Sequence, residues 1–318
     1  MNSISENRGI SQGDSSRKHI LSVDVEDYFM VEAFAKTVHW NSWDSWPSRV
    51  EASTRRALDL FDKYSVKGTF FFVGWVAEKF PKLVRDVQVR GHELACHSYW
   101  HRTVYSLTPE EFRKDTRAAV RAIEDASGTK LYGYRAPSWS ITKDSLWALE
   151  ILAEEGFTYD SSIYPIHHDL YGVPGAQRVP YDLKLASGKP LREFPPATVQ
   201  LLGQNLPGAG GGYLRMFPMA YTRWFFRQYL KRPEERVVVY LHPWELDPDQ
   251  PRIKDKLKSR LRHYTNLSKM ESNLDALLQM YSFQSFRELI AEDDAQRATA
   301  PMLEGNRRPV CAGAEPKP

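Results

Sequence analysis

The sequence predicts a parallel β/α fold that curls into a barrel, and three observations carry that reading. Short apolar strand patterns alternate with amphipathic helix patterns from residue 19 onward. The run Thr69-Phe70-Phe71-Phe72-Val73 suits a strand buried on both faces. The C-terminal ends of successive strands carry acidic, basic or imidazole side chains, and that edge is where β/α folds place reactive groups.

The bulk numbers set bounds. With 318 residues, 42% of them hydrophobic, the chain can build one large α/β domain or two smaller ones. A formal charge of +3 without a dense Lys/Arg block argues against a nucleic-acid partner. Only Cys96 and Cys311 occur, so no disulfide framework is expected, and Cys96 reads as a small buried strand residue. No apolar run reaches membrane-spanning length, and the opening residues lack the apolar centre of a secretory signal. The expected location is therefore cytoplasmic, with association with a membrane assembly left open.

In chain order, residues 1–18 read as a disordered lead-in. The first strand spans His19 to Asp27 and ends in Asp24, Glu26 and Asp27. Carboxylates crowded beside an apolar strand repel one another unless a cation or proton compensates. Residues 29–47 form an aromatic connection whose Trp40, Trp43 and Trp46 could stack on sugar rings or pack a small core of their own. Helical spacing follows over 50–64, a strand over 67–73 and a helix over 75–90, with Gly91 at its C′ position. Glu93-Leu94-Ala95-Cys96 is a short buried strand delivering His97, and His101 follows four residues later. On a helical turn, or where a strand end curls, that spacing puts two imidazoles on one face, as an open metal site requires. Thr108-Pro109-Glu110-Glu111 is a capping box opening a helix to about residue 127.

Leu131 to Pro137 gives a short strand carrying Arg135, residues 142–156 a helix, and Phe157 onward a strand carrying Asp160. Between 164 and 212 the pattern loosens around a strand near 191–194, and the glycines of 208–212 read as a flexible loop able to approach a ligand closely. That loop lacks the Lys-Ser/Thr of a phosphate-binding loop. A helix over 218–231 precedes a buried strand that begins at Arg236 and ends in His242. Helical patterns over 262–280 and 286–291 close the domain, and 292–318 reads as a disordered tail. The domain proper is thus expected over 19–291.

The motifs Gly91-His92-Glu93 with His97-Ser98-Tyr99-Trp100-His101, Tyr134-Arg135-Ala136-Pro137, Tyr159-Asp160-Ser161-Ser162 and Tyr240-Leu241-His242 resemble, in order, those of the polysaccharide deacetylase superfamily (carbohydrate esterase family four, nodulation-deacetylase-like). The resemblance covers roughly residues 20–245. Val23-Asp24-Val25-Glu26-Asp27-Tyr28-Phe29, the Gly-Gly-Gly-Tyr-Leu-Arg segment at 210–215 and His242-Pro243-Trp244-Glu245 are similar to a bacterial branch linked to exopolysaccharide synthesis and exosortase-type sorting. The resemblance implies a distorted barrel of seven or eight strands and a divalent metal, Zn²⁺ first and Co²⁺ or Ni²⁺ by the same ligands. The substrate it implies is an N-acetylated polysaccharide or oligosaccharide.

The family's usual opening motif is two adjacent aspartates, one a base and one a ligand, whereas here Asp24 and Glu26 alternate and Glu26-Asp27 are adjacent. Strand periodicity puts Asp24 and Glu26 on one face, and because related members with an Asp-x-Asp opening use the first as base and the second as ligand, the resemblance implies Asp24 as base and Glu26 as ligand, with Asp27 the alternative ligand beside His97 and His101. His242 is expected to protonate the departing amine, Arg135 to hold Asp24 ionised, and Asp160 to keep His242 protonated. Pro137, Trp139, Tyr213, Arg215 and Trp244 are expected to contact substrate. Tyr240 stands where the family carries Leu, which alters the acetyl pocket. Two other readings share these residues: a C–N hydrolase of small cyclic amides, and a catalytically silent carbohydrate-binding protein.

Overall fold

The computed structural model describes residues 17–168, 171–232 and 235–299. Of the ends expected to be disordered, 1–18 and 292–318, residues 1–16 and 300–318 lie outside these residues, as does Cys311. Eleven strands are present among the described residues: β1 (Lys18–Val25), β2 (Thr69–Phe72), β3 (Glu93–Cys96), β4 (Gly133–Tyr134), β5 (Tyr159–Asp160), β6 (Tyr181–Asp182), β7 (Arg192–Glu193), β8 (Thr198–Leu201), β9 (Gln204–Pro207), β10 (Val238–Leu241) and β11 (Ser282–Gln284). The main sheet runs β10-β1-β2-β3-β4-β5-β7-β6, with β11 also on β1, and every pairing except that of β6 with β7 is parallel. Seven parallel strands from β10 to β7 thus form a curled, open barrel, and β8 and β9 make a separate hairpin.

Alternation along the strands sorts side chains into two cores. Leu21, Val23, Phe70, Phe72, Leu94 and Cys96 pack outward against the helices. Ile20, Phe71, Ala95, Tyr159, Phe194 and Val238 point inward, where Phe286 and Leu289 of the last helix close the barrel floor. Each fully buried phenylalanine contributes about 1.5–3 kcal/mol. Asp24 shares the parity of Ile20 and so enters the interior at its open end.

Backbone breakers account for several departures from the predicted elements. The helix expected over 75–90 is two, Gly74–Lys79 and Pro81–Val89, because Pro81 lacks the N–H a continuous helix needs and serves instead as a first helical residue. The pattern over 142–156 resolves into a 3₁₀ turn, Lys143–Ser145, and the helix Trp147–Glu154. The pattern over 262–280 divides into Leu257–Tyr264 and Leu267–Met280, with Asn266 left-handed at φ 56° between them. The last helix, Phe286–Thr299, runs into the stretch read as tail. The glycines at 208–212 are not a free loop: Gly210 bridges β10 at Tyr240 and the helix Gly211–Met216 starts beside it. The Thr108 capping box forms as expected, with Glu111 N donating to Thr108 Oγ1 and Thr108 N donating to Glu111 Oε2.

Asp160 on β5 and Glu193 on β7 are register partners, and both are fully buried. Asp160 Oδ1 accepts from Ser162 Oγ at 2.6 Å and Glu193 Oε1 from Ile163 N at 2.9 Å. The remaining oxygens, Asp160 Oδ2 and Glu193 Oε2, have no hydrogen-bond partner among the described residues, an arrangement that one proton shared by the two carboxyls would satisfy. Burial raises Asp160 to about 6 and, with the neighbouring Asp160 charge, lifts Glu193 well above its ordinary value. Folding therefore takes up a proton above the ordinary carboxylate range, and stability is lost as pH rises toward the folded value. That slope is at most about 1.4 kcal/mol per pH unit for one proton. Glu193→Gln, which cannot ionise, is expected to flatten the fall in melting temperature between pH 6 and 9; parallel curves for the two proteins would show that the pair does not hold a proton.

Candidate metal centre

The strand ends bring the expected groups to one mouth, but by different local devices. Asp24 lies inside β1, so strand alternation aims it inward. Glu26 lies past the end of β1, where its N–H donates to Asp24 O at 3.0 Å and a tight turn, not the strand period, sets its direction. His97 follows β3, and the chain then curls through left-handed Ser98 (φ 60°) to left-handed His101 (φ 50°). This is a strand end closing into a turn, not a helical turn. Two non-glycine residues at positive φ cost of order 1 kcal/mol each and need support. Ser98 Oγ accepts from His101 N at 3.0 Å, and the buried Asp115 accepts from Tyr99 N at 2.7 Å.

Glu26, His97 and His101 each offer a ligand atom within 4.8 Å of one another, and all three are buried. His97 Nδ1 lies 2.7 Å from the Arg135 carbonyl oxygen, which can only accept, so Nδ1 carries the proton and Nε2 keeps its lone pair. Burial lowers His97 to about 4, so its ring is neutral. Glu26 Oε2 stands 2.5 Å from His101 Nε2, and Trp244 Nε1 donates to the other oxygen, Oε1, at 3.0 Å. Burial alone would raise the Glu26 carboxyl, but His101 and His242 carry it well below the usual range. Glu26 Oε2 meets no polar group at hydrogen-bond distance besides His101 Nε2, and the buried His101 Nδ1 has no hydrogen-bond partner among the described residues. Two imidazoles and a carboxylate, all buried and with their ligand atoms this close, fit a divalent cation with open positions.

Asp27, the alternative ligand, does not join them. It accepts from Arg49 N at 2.9 Å, Val50 N at 3.2 Å and Ser48 Oγ at 2.5 Å, capping the helix Val50–Lys63. That helix begins after Arg49, which has no capping side chain, so its free N–H groups need an acceptor from elsewhere.

The flanking groups are equally specific. Arg135 is fully buried and donates through Nη1 to Asp24 Oδ1 (2.7 Å) and Ser22 Oγ (2.9 Å), and through Nη2 to Ser161 Oγ (3.1 Å). Its guanidinium lies over Phe71 at 4.2 Å and Trp139 at 4.8 Å. His242 keeps 23% of its side chain exposed against 4% for Asp24, so the imidazole faces the opening. Its Nε2 lies 3.9 Å from Asp24 Oδ2 and 3.8 Å from Glu26 Oε1. Burial would lower His242, but Glu26, Glu245 and Asp24 raise it to about 9.

Several expected roles are corrected by position. Asp160 is engaged with Ser162 and Glu193 and does not face His242; the carboxylate beside that ring is Glu245, 3.2 Å from Nδ1. Arg215 is 3% exposed and bonded to Glu245, and the buried Trp244 is spent on Glu26, so neither is presented to a substrate. Pro137 and Trp139 are buried, Trp139 with its ring edge-on to Tyr240 at 4.8 Å, and Tyr213 is half-buried against Phe217. In the aromatic loop, Trp43 is buried among Phe29 and Trp75, while Trp40 and Trp46 are half-buried and Trp40 stands 4.7 Å from Trp100. Glu245 and Asp115 were missed as site residues. Glu245 was legible, because Pro243 followed by an acid three residues after His242 has capping-box spacing; Asp115 looks like any polar helix residue.

Residues 33–159 match the family model described as polysaccharide deacetylase, and residues 161–291 match a domain of unknown function, DUF3473. Among curated proteins, the peptidoglycan deacetylase of Helicobacter pylori is 31% identical over 37% of this chain and 39% of its own length. The chitooligosaccharide deacetylase of Bradyrhizobium sp. is 33% identical over 29% of this chain and 43% of its own. The chain thus spans about two fifths of the length of these relatives. A crystal structure described as a polysaccharide deacetylase from Mycobacterium smegmatis aligns with a TM-score of 0.58, covering 95% of this chain and 97% of that one at 20% identity, which shows a shared fold. The matched family model and the deacetylase relatives agree, and residues 33–159 carry a polysaccharide deacetylase domain.

Proposed function

We propose that the protein is a metal-dependent hydrolase that removes N-acetyl groups from an N-acetylated polysaccharide or oligosaccharide, in bacterial exopolysaccharide synthesis. The observation that carries this reading is the convergence of Glu26, His97 and His101 with a carboxylate, Asp24, and an imidazole, His242, whose Nε2 lies 3.9 Å from Asp24 and 3.8 Å from Glu26. The deacetylase relatives and the resemblance of the 210–215 and 242–245 segments to an exopolysaccharide-linked branch support the substrate class.

The chain's own groups divide the work. Glu26, His97 and His101 would hold the cation, which supplies Lewis acidity toward the acetyl carbonyl and the attacking water. Arg135 holds Asp24 Oδ1 and leaves Oδ2 toward the mouth, where it takes the proton of the attacking water. His242, facing the opening, gives its Nε2 proton to the departing sugar amine. Amide hydrolysis needs that proton because an amine anion is a poor leaving group. All the parts are present, which favours an active enzyme over a silent binding protein.

Acetate release from N-acetylated oligosaccharides should be abolished by chelator and restored by Zn²⁺. His97→Ala, His101→Ala and Glu26→Ala should each lose bound metal, since two remaining ligands rarely retain the ion. Asp27→Ala should keep its metal and instead lose about 1–3 kcal/mol of stability with its cap. Full metal content in both histidine variants, measured by elemental analysis, would place the site elsewhere.

Asp24→Asn is expected to retain metal and lower kcat by about 10² or more on every substrate. His242→Ala should harm an N-acetyl amide far more than an aryl acetate ester, whose phenolate departs without a proton. Equal losses on the two would remove His242 from the proton-donor role.

For the aromatic loop, Trp43→Ala should cost about 3–5 kcal/mol of stability and affect all substrates alike. Trp40→Ala should leave melting nearly unchanged and raise KM for long oligosaccharides only. An unchanged KM across chain lengths would show that the Trp40 ring does not carry sugar.

A further inference from the structure

The deacetylase family model stops at residue 159, yet the imidazole that faces the mouth, His242, lies in the region matched only by a domain of unknown function. What that region does for His242 can be read from four side chains. The 3₁₀ turn Pro243–Leu246 folds Glu245 back beneath His242, so that Glu245 Oε2 accepts from His242 N at 3.0 Å and lies 3.2 Å from Nδ1. A carboxylate only accepts, so this contact puts a proton on Nδ1 and points Nε2 at Asp24 and Glu26. Glu245 Oε1 accepts in turn from Arg215 Nε at 2.9 Å. Arg215 is itself fully engaged: Nη1 donates to Thr265 O at 2.6 Å and Nη2 to Arg262 O at 3.0 Å, the carbonyls that end the helix Leu257–Tyr264. Trp244 completes the turn, stacked between His242 and His263 with centroids 5.2 and 4.1 Å away.

The glycine segment exists to let this chain of contacts close. A Cβ at Gly210 would fall inside the Tyr240 ring, and one at Gly211 inside the Glu245 carboxylate. Only bare backbone can pass both and still start the helix Gly211–Met216 that delivers Arg215. A buried Glu and Arg, 1% and 3% exposed, are costly to desolvate unless each is fully paired, and here each is.

We propose that Glu245, fixed by Arg215, is the positioning residue for His242, and that residues 161–291 are the half of the deacetylation site that supplies and orients the proton donor. This rests on His242 acting as that donor. Orientation by a buried carboxylate matters to the step in which a proton must be handed over at a set angle, and not to departure of a group that leaves unaided. The pair therefore carries a signature that a merely structural ion pair would lack.

The test measures kcat on an N-acetylated oligosaccharide and on an aryl acetate ester for the wild type, His242→Ala, Glu245→Gln and Gly211→Ala, all loaded with metal. The amide-to-ester ratio is independent of how much of a variant is folded, since both rates come from the same active molecules. Glu245→Gln and Gly211→Ala, the second displacing the carboxylate without removing it, should each lower the ratio at least tenfold, and His242→Ala should lower it further. A wild-type ratio in Glu245→Gln and Gly211→Ala beside a depressed one in His242→Ala would overturn the positioning role and leave the donor intact. A wild-type ratio in His242→Ala would overturn the donor assignment and the positioning role with it.

Discussion

The arrangement hangs on one buried charge. Arg135 has no exposed surface, and removing a guanidinium from water costs several kcal/mol unless its donors are satisfied. Its hydrogen bonds link three strands, directly to Ser22 and Asp24 in β1 and to Ser161 after β5, and through Ser161 Oγ to Phe194 O after β7. Its faces are covered by Phe71 and Trp139, and its carbonyl oxygen orders His97. One residue thus sets the direction of Asp24, the tautomer of His97 and the spacing of β1, β4 and β5. Lysine could not replace it, because a point charge has no planar fork to divide among three strands.

Around that centre the charges alternate. Arg135 faces Asp24, Glu26 faces His101, Glu245 faces both His242 and Arg215. Buried carboxylates at one mouth would repel each other in isolation, and each is compensated by a cation or an imidazole at hydrogen-bond range. Glu245 is held at about 2 because His242 and Arg215 outweigh the burial that would raise it. By contrast Asp160 and Glu193, side by side without a cation of their own at hydrogen-bond range, are both pushed by burial toward the protonated form. Two pairs of groups with similar burial therefore serve different ends: one keeps charge available, the other removes it.

The site is also divided along the chain. The N-terminal half contributes Asp24, Glu26, His97, His101 and Arg135, and the C-terminal half His242 and the residues that grip it. The barrel order makes this possible, because β10 pairs directly with β1 and brings residue 242 beside residue 24 despite the long sequence separation. Trp244 ties the halves together at the atomic level, its indole N–H held by Glu26 while its ring stacks on His242.

The sequence by itself determined what depends on local spacing. Apolar runs marked β1, β2, β3 and β10, the Thr108 box opened a helix, and the His97 and His101 spacing marked a turn holding two imidazoles. Within β1, period-two alternation was enough to aim Asp24 inward. Only the tertiary structure decided what lies beyond the strand ends, where no period constrains direction. It turned Glu26 to the histidines and Asp27 to a helix that starts at Val50, adjacent residues sent opposite ways. It set Asp160 against Glu193 and gave the carboxylate beside His242 to Glu245, and it withdrew Arg215 and Trp244 from the surface to hold that turn. The physical reason is common to all of these. A side chain's partner across the barrel is fixed by strand order and by which buried polar atoms still need satisfying, and neither quantity is written in any short stretch of sequence.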